Sequence, residues 1–274
     1  MSVLAGYPIE LEDRKYLESL FPGSRLLAMR GSYNETRLDA KQILKVESQA
    51  RQGACAGHSL SSILEWVYAI GTGGKRIQFS RAMAYYETQR LDGIRGDRGS
   101  TISGGVKLAT ITGLCREELW VYPGNYNPAR PSNWSQVQAD AADYKIKNTI
   151  RIGSYDEYRV FLGAGLGGVH GGWNWNGTME KSVVESFHPT NRDGGHSEAG
   201  ICLSTRLDST GRPYVWILGS WGSGFAAGGW QEFSPTCIDQ MCKHQNTALV
   251  GLSDMENLEP RVFSVDDWKG GLRI

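Results

Sequence analysis

The stretch RQGACAGHSLSSILEW, residues 51–66, sets a cysteine at the start of a helix. Leu60, Ile63 and Leu64, continued by Val67 and Ile70, recur at three- and four-residue spacing, which predicts an amphipathic helix from Ala56. Gly71 and the Gly73-Gly74 pair end it. Cys55 therefore stands at a helix N-terminus, where unpaired backbone N–H groups and the helix dipole favour negative charge. A cysteine attacks only as the thiolate, so the position suits a nucleophile. It also suits an inert core residue, because free cysteines are commonly buried. A histidine facing the thiol separates the two readings. His58 lies one turn inside the same helix and reads as a packing residue, so the partner must come from elsewhere in the chain.

Bulk properties exclude several function classes. The 274 residues are 40% hydrophobic, enough for a sizeable core, and 29 Lys and Arg balance 29 Asp and Glu. Such a balance points to neither a nucleic acid nor a charged partner. No apolar run reaches the roughly 18 residues of a membrane span. The five cysteines, at 55, 115, 202, 237 and 242, are odd in number and scattered, unlike a disulfide framework. The first residues, MSVLAGYPIELEDRKYLESL, lack the order of a secretory signal, so the expected localisation is cytoplasmic. CIDQMCKH (237–244) offers one cysteine pair and a close histidine, short of a zinc pattern. The glycine-rich turns at 93–105 and 163–172 lack a P-loop lysine. Neither a metal nor another cofactor is expected.

Helical patterns dominate the first half and strand patterns the second. SRAMAYYETQRL (80–91) predicts a helix capped by Ser80, and a third helix is expected over 105–112, ending at Gly113. KNTIRI (147–152) reads as a strand and SYDEYRVFLGAG (154–165) as a helix capped by Ser154. GGVHGGWNW, HSEAGICLST and RPYVWILGSW alternate β-prone runs with glycine turns. The expected class is α+β, with an N-terminal segment over 1–45 and a main domain over 46–240. That domain divides into a helical half at about 46–125 and a β-rich half at about 135–240, joined by YPGNYNPARPSNW (122–134). Residues 241–274 read as a C-terminal extension that docks on a protein partner.

Four blocks, in order, resemble the papain-like cysteine peptidases. Gln49 precedes Cys55 by six residues, and Gly53-Ala54-Cys55 stands where the family has Gly-Ser/Ala-Cys. LDGIRGDRGSTISGGVKLATITGLCREELWVYP (91–123) is similar to the family's glycine turn, helix and Glu-x-x-(Trp/Tyr)-Pro end. GGHSEAGICL (194–203) resembles the Gly-His-Ala-Val strand of the catalytic histidine, and YVWILGSWGSGFAAGGW (214–230) the strand ending in Asn-Ser-Trp-Gly. The resemblance covers about residues 40–235. It implies a two-subdomain fold with the active-site groove between helical and β-rich halves. It further implies Cys55 as nucleophile, His196 as its partner, Gln49 as an oxyanion donor, Trp221 as a shield for the histidine and Gly99 as a backbone partner of substrate. The implied activity is thiol-dependent cleavage of a peptide or protein substrate through an acyl-enzyme.

The chain departs from that pattern at one telling position. Gly219 stands where the family has the asparagine that orients the histidine, leaving Ser220, a backbone carbonyl or water to take the role. The aromatic residue usual after the nucleophile is Ala56, and residues 1–45 contain nothing resembling an inhibitory propeptide. A second register also exists: Gln52-Gly53-Ala54-Cys55 matches the family's Gln-Gly-x-Cys, with His58 in the nucleophile's place. Three functions stay open on sequence grounds. They are a cysteine peptidase, a weak or inactive papain-like scaffold of structural type such as a phage virion protein, and an amidase or peptidoglycan hydrolase with the same Cys–His chemistry.

Overall fold

The computed structural model describes residues 38–190 and 194–258. A short helix, α1 (Ala40–Ile43), leads to α2 (Cys55–Thr72), α3 (Arg81–Asp92) and α4 (Ile102–Lys107). Ser80 caps α3 by accepting the Met83 N–H, as its sequence position predicts. The helix expected over 105–112 begins earlier, at Ile102, because Thr101 caps it through the Gly104 N–H. It widens into a π-turn over Leu108–Thr112 and stops at Gly113. Two further helices fall where none was predicted. They are α5 (Trp134–Ala141), at the end of the expected linker, and α7 (Pro235–Lys243). Between them, α6 (Tyr155–Gly163) is capped by Ser154, as expected.

Seven strands form one sheet: β1 (Ile146–Arg151), β2 (Gly167–Trp175), β3 (Val183–Val184), β4 (Gly194–Leu207), β5 (Pro213–Leu218), β6 (Trp230–Phe233) and β7 (Ala248–Met255). Their order is β1-β7-β2-β4-β5-β6-β3. The position of β7 corrects the expected C-terminal extension, since 248–255 is an inner strand hydrogen-bonded to both β1 and β2. Its alternation explains why: Ala248, Val250 and Leu252 face the helical core, whereas Leu249 faces the opposite one. An apolar strand with both faces buried belongs inside a sheet. Residues 259–274 of the expected extension lie outside the described residues, as do 1–37 of the N-terminal segment. From that segment, Ala40 and Leu44 pack into the helical core.

The sheet separates two cores. One lies between α2, α3 and α4 and a sheet face; the other lies between the opposite face and α6 and α7. Within the first, Arg81 reaches Glu65 through two parallel bonds of 2.6 and 3.1 Å, and both side chains are almost fully buried. Arg81 also donates to the Phe79 carbonyl, and Glu65 accepts the Phe79 N–H, so the pair locks α2 to the turn before α3. Breaking such a pair from one side strands a buried charge. Glu65→Gln is expected to cost about 3–5 kcal/mol in urea unfolding. A loss within the scatter of surface substitutions would show that the pair carries no strain of this kind.

Candidate active site

Cys55 is the first residue of α2. Its neighbour at the cap is Ala54, which has no side-chain acceptor, so the first-turn N–H groups are not spent on a cap. The field at the thiol is therefore that of an uncapped helix N-terminus. Gly53 brings the 93–105 loop alongside: a Cβ there would stand 2.9 Å from the Gly99 nitrogen. Asp97 accepts the Gly53 N–H at 2.8 Å and the Tyr85 hydroxyl at 2.7 Å, pinning the loop beside the cysteine.

His196 comes from β4, on the other side of α2's N-terminus, and faces the thiol. Its Nε2 lies 3.7 Å from Glu198 Oε1. The side chains of His196 and Glu198 are 1% and 0% exposed. Burial by itself lowers the imidazole's pKa. Hydrogen bonding and charge from Cys55 and Glu198 outweigh it and raise the value to about 9. Trp221 stacks on the ring at 4.3 Å between centroids, and Trp175 meets its edge at 4.7 Å. Phe225 closes on Trp221 at 4.6 Å. This aromatic enclosure keeps water from the imidazole, where charges interact more strongly.

Gln49 is held from every side. Its Oε1 accepts the Ser220 hydroxyl at 2.5 Å, and one Nε2 hydrogen is donated to the Gln52 carbonyl at 2.7 Å. Its backbone N–H donates to the Ser220 carbonyl, and its own carbonyl accepts the Tyr122 hydroxyl. These bonds use only one of the two Nε2 hydrogens.

Other reactive side chains lack these features. Burial pushes the thiols of Cys115, Cys202 and Cys242 up to about 12 and that of Cys237 higher still. Cys237 faces Met241 sulfur in the second core. A cavity of about 740 Å³ lined by Lys41, Cys202, Trp216 and Trp230 has no imidazole beside its thiol, and we set it aside as the reacting centre. His58 sits against the Tyr122 ring at 4.8 Å, its pKa lowered by burial and then by Arg81. It does not face His196, which removes the register that gave it the nucleophile's place.

No protein-family model matches the chain, and no curated protein matches it. Solved structures do. Xylellain, a cysteine protease from Xylella fastidiosa, aligns with a TM-score of 0.68 and 21% identity, covering 92% of this chain and 97% of its own. Procathepsin B S9 from Trypanosoma congolense gives 0.67 and 15%, covering 92% and 87%. Bromelain protease from Ananas comosus, solved with the E64 inhibitor, gives 0.60 and 14%, covering 78% and 97%. The chain has the papain-like fold.

Within the papain-like fold, two sequence-derived roles need correction. Ser220 does not orient His196; its hydroxyl is spent on Gln49. Gly99 does not offer its backbone to a substrate, because its N–H donates to the Tyr85 hydroxyl and its carbonyl accepts from Gln89. Trp221 does cover the histidine, and Cys55, His196 and Gln49 converge at the start of α2. The residue missed was Glu198. Its signal was a carboxylate inside the apolar run HSEAGICL, two residues from the histidine and so on the same strand face.

Two of the buried histidines, His170 and His196, titrate in opposite directions. His170, bonded to Ser59 at 2.9 Å, is pushed by burial to about 3 and stays neutral. His196 keeps its proton until pH rises through about 9. NMR titration of the ring is expected to show that midpoint, and Cys55→Ser to lower it by removing one of two partners. An ordinary midpoint near about 6.5 in the unmodified protein contradicts the geometry.

Proposed function

We propose that the chain is a cysteine peptidase that cleaves peptide bonds through Cys55 and His196. The observation that carries the reading is the meeting of one thiol, at an uncapped helix start, with one imidazole raised to about 9. The Cys55 thiolate attacks the substrate carbonyl carbon, forming a C–S bond and an oxyanion. The Cys55 N–H and the unspent Gln49 amide hydrogen donate to that oxyanion. Imidazolium at His196 then protonates the departing amine as the C–N bond breaks. The neutral imidazole next takes a proton from water, whose oxygen attacks the acyl carbon and releases the thiolate. An extended substrate runs along the 93–105 loop, which Gly53 brings beside Cys55.

Since the imidazolium is the acid, turnover falls as pH rises through about 9. Gln49→Ala removes a donor felt only after attack, so kcat drops about 10²–10³-fold with little change in KM.

The deciding experiment treats the native chain with an electrophilic thiol probe from about pH 4 to 9 and maps the modified cysteine. Selective modification of Cys55 at the acidic end, lost in His196→Ala, is the expected result. Cys55 reactivity that follows an ordinary thiol, with pKa about 8.5, and ignores His196→Ala, returns the protein to the class of inactive scaffolds. With the thiol active, a peptide-library digest separates peptidase from amidase chemistry.

A further inference from the structure

The papain-like pattern at residue 219 is broken, yet the space beside His196 is filled. A Cβ placed on Gly219 would stand 2.9 Å from Glu198 Oε1 and 3.4 Å from the Phe225 ring. The carboxylate of Glu198 thus occupies the volume into which a side chain at 219 would project. Glu198 reaches it from β4, two residues after His196, where strand alternation puts both side chains on one face. Neither carboxylate oxygen has a hydrogen bond of good geometry to any other described group, and Glu198 is 1% exposed. A cationic partner stabilises a buried carboxylate, and the His196 ring is the ionisable group 3.7 Å away.

We propose that Glu198 is the positioning residue of His196, holding Nε2 with a carboxylate from the histidine's own strand in place of an amide from the 219 loop. The glycine at 219 and the glutamate at 198 form one arrangement, since a side chain at 219 would require the Glu198 carboxylate to shift from its place. The swap changes chemistry as well as geometry. An amide oxygen accepts the Nε2 proton as a dipole, whereas a carboxylate also stabilises the imidazolium charge, so the acid form of His196 persists to higher pH. The titratable groups around the pair are few. Cys55 faces His196 from α2, and Tyr158 of α6 and Cys237 of α7 feel the charge of Glu198 from the other side. Burial pushes both of those groups up and keeps them neutral, so neither competes for the imidazolium.

This inference rests on the thiol-hydrolase reading, and the test separates the two. Three forms of the full chain are compared with the native protein: Glu198→Gln, Glu198→Ala, and Glu198→Ala combined with Gly219→Asn. Glu198→Gln keeps the shape and removes the charge, so the His196 ring titration is expected to move down by about one pH unit or more, with the alkaline limb of Cys55 alkylation following it. Glu198→Ala is expected to lower kcat by about tenfold or more with KM nearly unchanged. The double variant restores kcat because the asparagine amide now enters the vacated volume. A His196 titration and kcat indifferent to Glu198→Gln, with the double variant no better than Glu198→Ala, overturn the assignment and leave Glu198 a packing residue. If Cys55 alkylation still depends on His196 in that case, only this inference fails; if it does not, the hydrolase reading fails with it.

Discussion

A short strap of backbone hydrogen bonds fixes the site. Gln49 N–H donates to the Ser220 carbonyl at 2.7 Å, Gly222 N–H donates to the Glu47 carbonyl at 3.1 Å, and Ser48 bridges Trp221 between them. The strap ties the segment leading into α2 to the loop between β5 and β6. On one side it sets Gln49 and, six residues on, Cys55. On the other it sets Ser220 against Gln49 and Trp221 over His196. Gln49 and Ser220, 171 positions apart in the chain, thereby belong to one rigid frame. Such a frame suits a centre whose chemistry depends on ångström-scale alignment.

Electrostatics follow from that frame. His196 is buried, which alone would favour the neutral ring. Its pKa is nonetheless raised, because hydrogen bonding and charge from Cys55 and Glu198 outweigh burial inside an aromatic enclosure. The same enclosure strengthens what Cys55 and then Glu198 do to the ring. An exposed ion pair of equal length contributes little.

Helices α2, α3, α4 and α6 and most strands were legible in the sequence because their signals are local. Ser80 and Ser154 cap the helices they precede, and the spacing from Leu60 to Ile70 fixes the buried face of α2. What was misread depends on partners distant in the chain. The apolar run 248–252 looked like part of a tail, since nothing in its own composition says that β1 and β2 leave a gap between them. Pro235 after Ser234 marked the start of α7, but the cysteines that follow drew attention to metal chemistry instead. At the site, Cys55, His196 and Gln49 could be read position by position. Glu198 was passed over, because its one signal is a carboxylate in an apolar strand and position 219, far along the chain, holds only a glycine.

The central claim is that Cys55 carries the acyl group during turnover. Mixing the protein with an activated ester of a short peptide, quenching in acid within the first turnover and measuring intact mass tests it directly. The account predicts one added acyl mass, located on Cys55 by digestion, with formation slowed in His196→Ala. An unmodified protein, or an acyl group on any other cysteine, contradicts it.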